Sequence, residues 1–211
     1  MKRFIDLEFV LPVPDISRFS KAIIKTMGVK EYLVNTGSDL NRGDANDVIK
    51  NLLDLVDYFE CTLREVEKCY SKLIYAYKVS TRDHDLYPIP LSFLIILSIK
   101  FHELYDLYRG GQINTDELFN RLAEKSEKLK ELIHSEVGAR VWAELFVANS
   151  QGNAVENKKD EISDSINGED TGKENDLATK RLNYLEYRRI YMGRKYIRYI
   201  FQNIEMVSSF E

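Results

Sequence analysis

The feature that most constrains the fold is a long helical period in the middle of the chain. Apolar residues recur there at steps of three and four, at positions 63, 66, 70, 73 and 77. This spacing places them on one face of an α-helix. Thr62 and Glu65 stand just before that face as a capping box, in which each side chain accepts the backbone N–H of the other residue. The pattern predicts an amphipathic helix that begins near residue 62.

Similar signals occur elsewhere along the chain. Asp15 is placed to cap a helix that ends near Gly28, and Asn114 with Glu117 forms a second capping box. The 211 residues include only 4 prolines and 10 glycines, which favours long regular elements. Residues 90–108 begin with a segment that is apolar on nearly every side. We therefore predict that they form the most buried helix.

The predicted fold class is all-α: a multi-helix bundle of about seven helices with one short N-terminal strand or extended arm. Residues 4–11 supply the strand, because they are mostly apolar and two prolines follow them. Residues 149–176 are rich in Asn, Gly, Ser, Glu, Lys and Asp and contain no aromatic residue, which predicts a disordered acidic linker. The predicted units are a helical domain with the N-terminal strand (1–148), this linker, and a C-terminal basic, tyrosine-rich helix that packs on the domain (177–211).

The sequence contains no pattern that indicates catalysis by this chain. The phosphate-binding pattern Gly-x-x-x-x-Gly-Lys-Ser/Thr does not occur, and no Ser, Cys or Thr lies in the context of a nucleophile. His84 and His102 have acidic neighbours, but no second group of ligands stands at a metal-binding spacing. We therefore predict neither a catalytic residue nor a metal site.

The two cysteines and the lengths of the apolar segments indicate the cellular compartment. Cys61 and Cys69 are eight residues apart on one predicted helix, so we expect free thiols and a reducing environment. No signal-peptide core is recognised near the N-terminus, and the prediction is a cytoplasmic protein. The longest apolar run, residues 91–99, is far shorter than the roughly 20 residues of a transmembrane helix. No membrane span is predicted.

The C-terminal segment interleaves tyrosines with basic residues, a pattern that suits contacts to nucleic acid or to a protein partner. Five basic residues are the candidates for such contacts: Arg188, Arg189, Arg194, Lys195 and Arg198. In the alternative, the tyrosines pack on the helical core and the basic side chains are only solvated. The net charge of −4 makes nucleic acid the less favoured partner.

Three segments of the chain, taken in order, resemble one known family. They are FIDLEFVLPVPD at residues 4–15, TLREVE at residues 62–67 and LYDLYRGGQI at residues 104–113. KAP-family P-loop NTPases have similar patterns, FFDLxFxLPxPD, LTLREIER and LYxxIRxGxI, in the region that follows the nucleotide-binding core. The chain thus resembles the helical C-terminal portion of such a protein, and the P-loop itself does not occur in this sequence.

The resemblance implies a function in an NTP-dependent complex, with phage defence as a known setting of the family. A P-loop NTPase core or another protein chain would be the partner. Mg-ATP would be bound only if that partner, or a segment outside this sequence, supplies the P-loop. Arg64 matches the arginine of the second pattern and is the nucleotide-sensing candidate; a surface ion pair with Glu60 or Glu67 is the alternative. The rival function is a stand-alone helical adaptor.

Overall fold

A computed structural model describes residues 15–36, 45–79, 88–150, 153–166, 172–187 and 194–208. Helices make up most of these residues, and short turns and loops make up the rest. In chain order the helices are α1 (Ile16–Thr26), α2 (Val29–Thr36), α3 (Ala45–Tyr58), α4 (Leu63–Val79), α5 (Pro88–Lys100), α6 (His102–Arg109), α7 (Thr115–Ala123), α8 (Glu127–His134), α9 (Glu136–Asn149), α10 (Ala154–Ile166), α11 (Lys173–Tyr187) and α12 (Arg194–Ser208).

The all-α fold class is confirmed for the described residues, none of which lies in a strand. The prediction of about seven helices is wrong, because these residues form twelve. The predicted N-terminal strand at residues 4–11 lies outside the described residues. The three predicted caps are confirmed: Asp15 accepts from the N–H of Arg18 at 2.9 Å, and both capping boxes are present.

The extra helices come from breaks that the apolar pattern does not reveal. Residues 90–108 are divided between α5 and α6 at Phe101, whose backbone is not helical (φ −135°, ψ 64°). The helix predicted after Asn114 is divided into α7 and α8, because Ser126 starts a new helix by accepting the N–H of Leu129 at 3.2 Å. At Gly28, φ is +60°, and α2 begins at the next residue.

The C-terminal third also differs from the prediction. Helix α10 occupies much of residues 149–176, the segment whose composition predicts disorder, and its Ile162 is buried. It packs closely against α11, and this tertiary contact supplies the apolar burial that the segment lacks on its own. The single C-terminal helix predicted within residues 177–211 is divided into α11 and α12. The division into a domain, a linker and a C-terminal helix stays a prediction.

Helix α5 lies at the centre of the core, as predicted. Every residue from 89 to 98 is buried, and α5 packs against α3, α4, α6 and α9. Its Phe93 lies between two other rings, 5.7 Å from Phe59 and 5.7 Å from Phe119, measured between ring centroids. Around this centre, α1, α2 and α12 pack on α4, while α8, α11 and α12 pack on α9. None of the described helices has the length and apolar character needed to cross a bilayer.

Candidate functional site

Arg64 lies in the first turn of α4, at a position that is firmly held. The N–H of Thr62 donates to Glu65 Oε2 at 2.6 Å, and the N–H of Glu65 donates to Thr62 Oγ1 at 3.3 Å. Lys100 Nζ then bonds to Glu65 Oε2 at 3.3 Å and to the carbonyl oxygen of Glu60 at 3.1 Å. Burial alone would raise the pKa of Glu65, but the hydrogen bonds from Thr62 and Lys100 outweigh it and lower that pKa. The start of α4 is thereby tied to the end of α5.

The side chain of Arg64, by contrast, is exposed. It makes no hydrogen bond, ion pair or ring contact with another of the described residues. The surface ion pair with Glu60 or Glu67, the alternative for this residue, is therefore not formed within that part of the chain. With its backbone fixed and its guanidinium unpaired within the described part of the chain, Arg64 is able to bind an anion on another molecule.

The five basic residues of the C-terminal segment are placed only in part. Arg188 and Arg189 lie outside the described residues. Arg194 and Lys195 are the first two residues of α12. Arg198, one turn later, is exposed and has no partner among the residues that the structure describes. It borders a cleft of about 230 Å³ on the side of the molecule where α12 meets α6.

This cleft, called here the Arg198 cleft, has a mixed lining, in which the apolar side chains of Ile197 and Phe201 stand beside polar and charged residues. Phe201 lies beneath it, and its ring centroid is 6.1 Å from that of Tyr108. Arg109, on the rim, already forms ion pairs with Asp106 and with Glu205. The full lining is Tyr108, Arg109, Gly110, Gly111, Asn149, Ile197, Arg198 and Phe201. Four of these residues belong to the third motif, LYDLYRGGQI.

A second cleft of about 440 Å³ adjoins the first at Gly111 and Asn149. We call it the Phe146 cleft, after the aromatic side chain in its wall. It lies where the start of α7 meets the end of α9. Beside it, the hydroxyl groups of Tyr108 and Thr115 are 3.2 Å apart. Burial raises the pKa of Tyr108 to about 12, so this phenol is neutral at physiological pH.

Asp116, in the wall of the Phe146 cleft, connects α7 to three other helices. Its Oδ1 accepts the indole N–H of Trp142 on α9 at 2.7 Å, and its Oδ2 is 3.2 Å from Lys158 Nζ on α10. The guanidinium of Arg181 on α11 lies 4.4 Å from the centroid of the Trp142 ring. Burial lowers the pKa of Arg181 to about 10, and the charge of Asp116 offsets that effect only in part. The cation–π contact with Trp142 therefore replaces part of the hydration that the Arg181 guanidinium loses on burial.

These clefts are not evident from the sequence. Gly110 and Gly111 follow the helix predicted at residues 90–108, and no local pattern places α12 beside them. The available signal was the third motif, whose residues line both clefts.

The histidines and cysteines considered in the sequence add no further site within the described residues. His84 lies outside the described residues, and His102 Nε2 is 3.3 Å from Asp106 Oδ2 on an exposed face of α6. Cys61 and Cys69 are free and buried, as predicted. Within the described ranges, no group of three or more His, Cys, Asp or Glu side chains could hold a metal ion.

Comparison with protein-family models, with curated proteins and with solved structures gives no significant match to this chain. The resemblance to KAP-family NTPases therefore stays a prediction that rests on the three quoted segments.

Proposed function

We propose that this chain is a helical module that works with a KAP-like P-loop NTPase core in an NTP-dependent complex, in a setting such as phage defence. The module binds the core and presents Arg64 to the bound nucleotide. It carries out no hydrolysis alone, and Mg-ATP belongs to the core. The observation that supports this proposal is the state of Arg64: its backbone is fixed by two linked sets of hydrogen bonds, and its guanidinium is exposed and unpaired within the described residues.

The chemistry of Arg64 suits a phosphate. A planar guanidinium can donate two parallel hydrogen bonds to phosphate oxygens, which a lysine cannot do. Because Arg64 is in the first turn of α4, it also lies near the positive end of the helix dipole, where an anion is favoured. The link from Glu65 to Lys100 fixes this turn on the core helix α5, so binding would cost little ordering of the backbone.

The test is reconstitution with the P-loop protein that co-purifies with this chain from its native host. Arg64→Ala should lower the ATP hydrolysis rate of the complex by about tenfold or more, and Arg64→Lys should restore only a part. Arg121→Ala is the matched control, since Arg121 is also an exposed helical arginine without a partner among the described residues. Hydrolysis that is unchanged by Arg64→Ala, or a partner without a P-loop, would overturn the proposal.

Isothermal titration of the chain alone with Mg-ATP adds an independent check. A single exposed arginine gives a weak contact that salt screens, so we expect no micromolar binding. Micromolar binding by the isolated chain would mean that a nucleotide site exists within this sequence.

The second candidate function is a stand-alone helical adaptor that binds a protein partner, or less favourably nucleic acid, through its C-terminal basic helix. Arg198 supports it, because this side chain is exposed beside a cleft and has no partner among the residues that the structure describes. Two variants distinguish these functions. If Arg198→Ala loses partner binding while Arg64→Ala has no effect, the adaptor function is favoured. If the partner is nucleic acid, the affinity should fall steeply with added salt.

A further inference from the structure

We propose that the Arg198 cleft and the Phe146 cleft together form a binding site for a small organic anion, a molecule with one carboxylate or phosphate group on an aromatic or alkyl body. The anionic group would bind Arg198, and the apolar body would cross Gly111 into the Phe146 cleft. This site is separate from Arg64 and does not depend on the proposed function.

The ion pairs around the Arg198 cleft identify the anion-binding residue. Arg109 is engaged by two carboxylates, those of Asp106 and Glu205. Arg198 has no acidic partner among the described residues, so its guanidinium is the one in this lining that is left to bind an added anion. Asn149, in the same wall, has a side-chain amide with two N–H donors; this amide also interacts with the hydroxyl of Tyr108, and its other N–H can donate a hydrogen bond to the anion.

The passage between the two clefts is open at Gly111. A Cβ atom added to this residue would meet no atom of the described residues within 4 Å, so none of these residues fills the space above its backbone. Gly111 also has φ +69°, which other residues adopt only with strain, and the position therefore favours glycine. Both clefts include Gly111 and Asn149, which makes them one continuous groove.

The Phe146 cleft suits the apolar end of the ligand. Phe146 is supported from behind by Trp142, with the two rings nearly parallel at 18° and their centroids 5.1 Å apart. Ile113 adds an aliphatic wall. Pockets that bind small molecules commonly combine such an apolar lining with a few polar groups, in volumes of roughly 300–1,000 Å³. The 440 Å³ of this cleft lies within that range.

The test uses phenyl phosphate and 3-phenylpropionate as probes, with inorganic phosphate and phenol as half-ligands. Titrations are followed by the backbone amide of Gly111 and the side-chain amide of Asn149 in ¹H–¹⁵N spectra, and by the fluorescence of Trp142, the one tryptophan of the chain. We expect saturable shifts with at least one probe and binding about tenfold or more weaker for each half-ligand. The probe that binds tighter distinguishes a phosphate ligand from a carboxylate ligand.

Arg198→Ala should weaken the probe by about tenfold or more, and Arg198→Lys by less. Arg198 is exposed, so both variants should fold, and an unchanged thermal midpoint verifies this. Arg121→Ala again serves as the control and should bind like the parent protein. The proposal is overturned if Arg198→Ala binds normally, if phenol binds as tightly as phenyl phosphate, if shifts occur only away from Gly111, or if no probe binds saturably at low millimolar concentration.

Discussion

Replacing Gly138 by alanine should destabilise the protein strongly, although Gly138 lies inside a helix. Ser135 separates α8 from α9: its hydroxyl donates to the carbonyl oxygen of Leu132 at 2.6 Å and accepts the N–H of Gly138 at 3.0 Å. This tight turn brings the two helix ends together. A Cβ atom at Gly138 would lie 1.9 Å from the oxygen of Leu132, 2.7 Å from its carbonyl carbon and 3.1 Å from the Cα of Ile133.

Two opposing effects determine the size of the loss. Helix propensity alone would make Gly138→Ala stabilising by about 1 kcal/mol. Overpacking of a buried site typically costs about 1–3 kcal/mol even when flexible side chains can move aside. At Gly138 the obstacles are backbone atoms of α8, which must shift by more than 1 Å to reach an ordinary contact distance from the added carbon. We therefore expect a net loss of at least about 3 kcal/mol, at the upper end of that range or beyond it.

Urea unfolding followed by helical circular dichroism measures this loss directly. Gly111→Ala is the matched control, because the added carbon meets no atom of the described residues within 4 Å and the positive φ is what opposes it there. That strain should cost about 1–2 kcal/mol. If Gly138→Ala is as stable as the parent protein, or if Gly111→Ala is the more damaging of the two, the close approach of α8 and α9 is wrong.

Three further predictions test the core, the Asp116 cluster and a buried phenol. Leu94→Ala should cost about 2–5 kcal/mol in the same urea assay because Leu94 is fully buried, and a loss below about 1 kcal/mol would contradict the central place of α5. Asp116→Ala should alter the fluorescence of Trp142 and lower the stability by about 1–3 kcal/mol, since it leaves the indole N–H without its acceptor. Asp57→Ala is the control: it removes an exposed ion pair with Lys128 and should cost less than about 1 kcal/mol. Burial raises the pKa of Tyr108 to about 12, so the unfolded chain releases the phenol proton at a lower pH than the folded chain does. The contribution of Tyr108 to the free energy of unfolding is therefore fully present below pH 10 and is lost as the pH rises towards 12. Denaturation midpoints between pH 9 and 11 should therefore fall for the parent protein more steeply than for Tyr108→Phe, and parallel curves would contradict the shift.

The helix starts could be predicted because their determinants are close in sequence. At Asp15, at Thr62 with Glu65 and at Asn114 with Glu117, the capping hydrogen bonds join residues three positions apart. A pattern of residue types therefore contains the whole interaction. The burial of residues 89–98 could also be predicted from the sequence. A helix that is apolar on all sides has no polar face to expose to solvent, so it must be buried.

The breaks between helices were missed because they leave the apolar pattern intact. Phe101 is itself apolar, so the sequence continues across the end of α5 without a visible interruption. Ser126 and Ser135 each accept an N–H three residues ahead, which is the signature of a helix start. Both stand among charged and apolar residues that also suit a helix interior, and a serine alone does not decide between these positions.

The most informative failure concerns α10 and α11, because tertiary contacts decided their structure. Composition predicts disorder for all of α10, yet the cluster around Asp116 includes positions 116, 142, 158 and 181. No local pattern can indicate that an arginine near the end of the chain will lie over a tryptophan almost 40 residues earlier. These contacts cross both predicted boundaries, at residues 148 and 176. Since Lys158 of α10 lies 3.2 Å from the Asp116 carboxylate that accepts the indole N–H of Trp142, removal of residues 150–176 would take one contact out of this cluster, and we expect it to disturb the setting of the Trp142 ring.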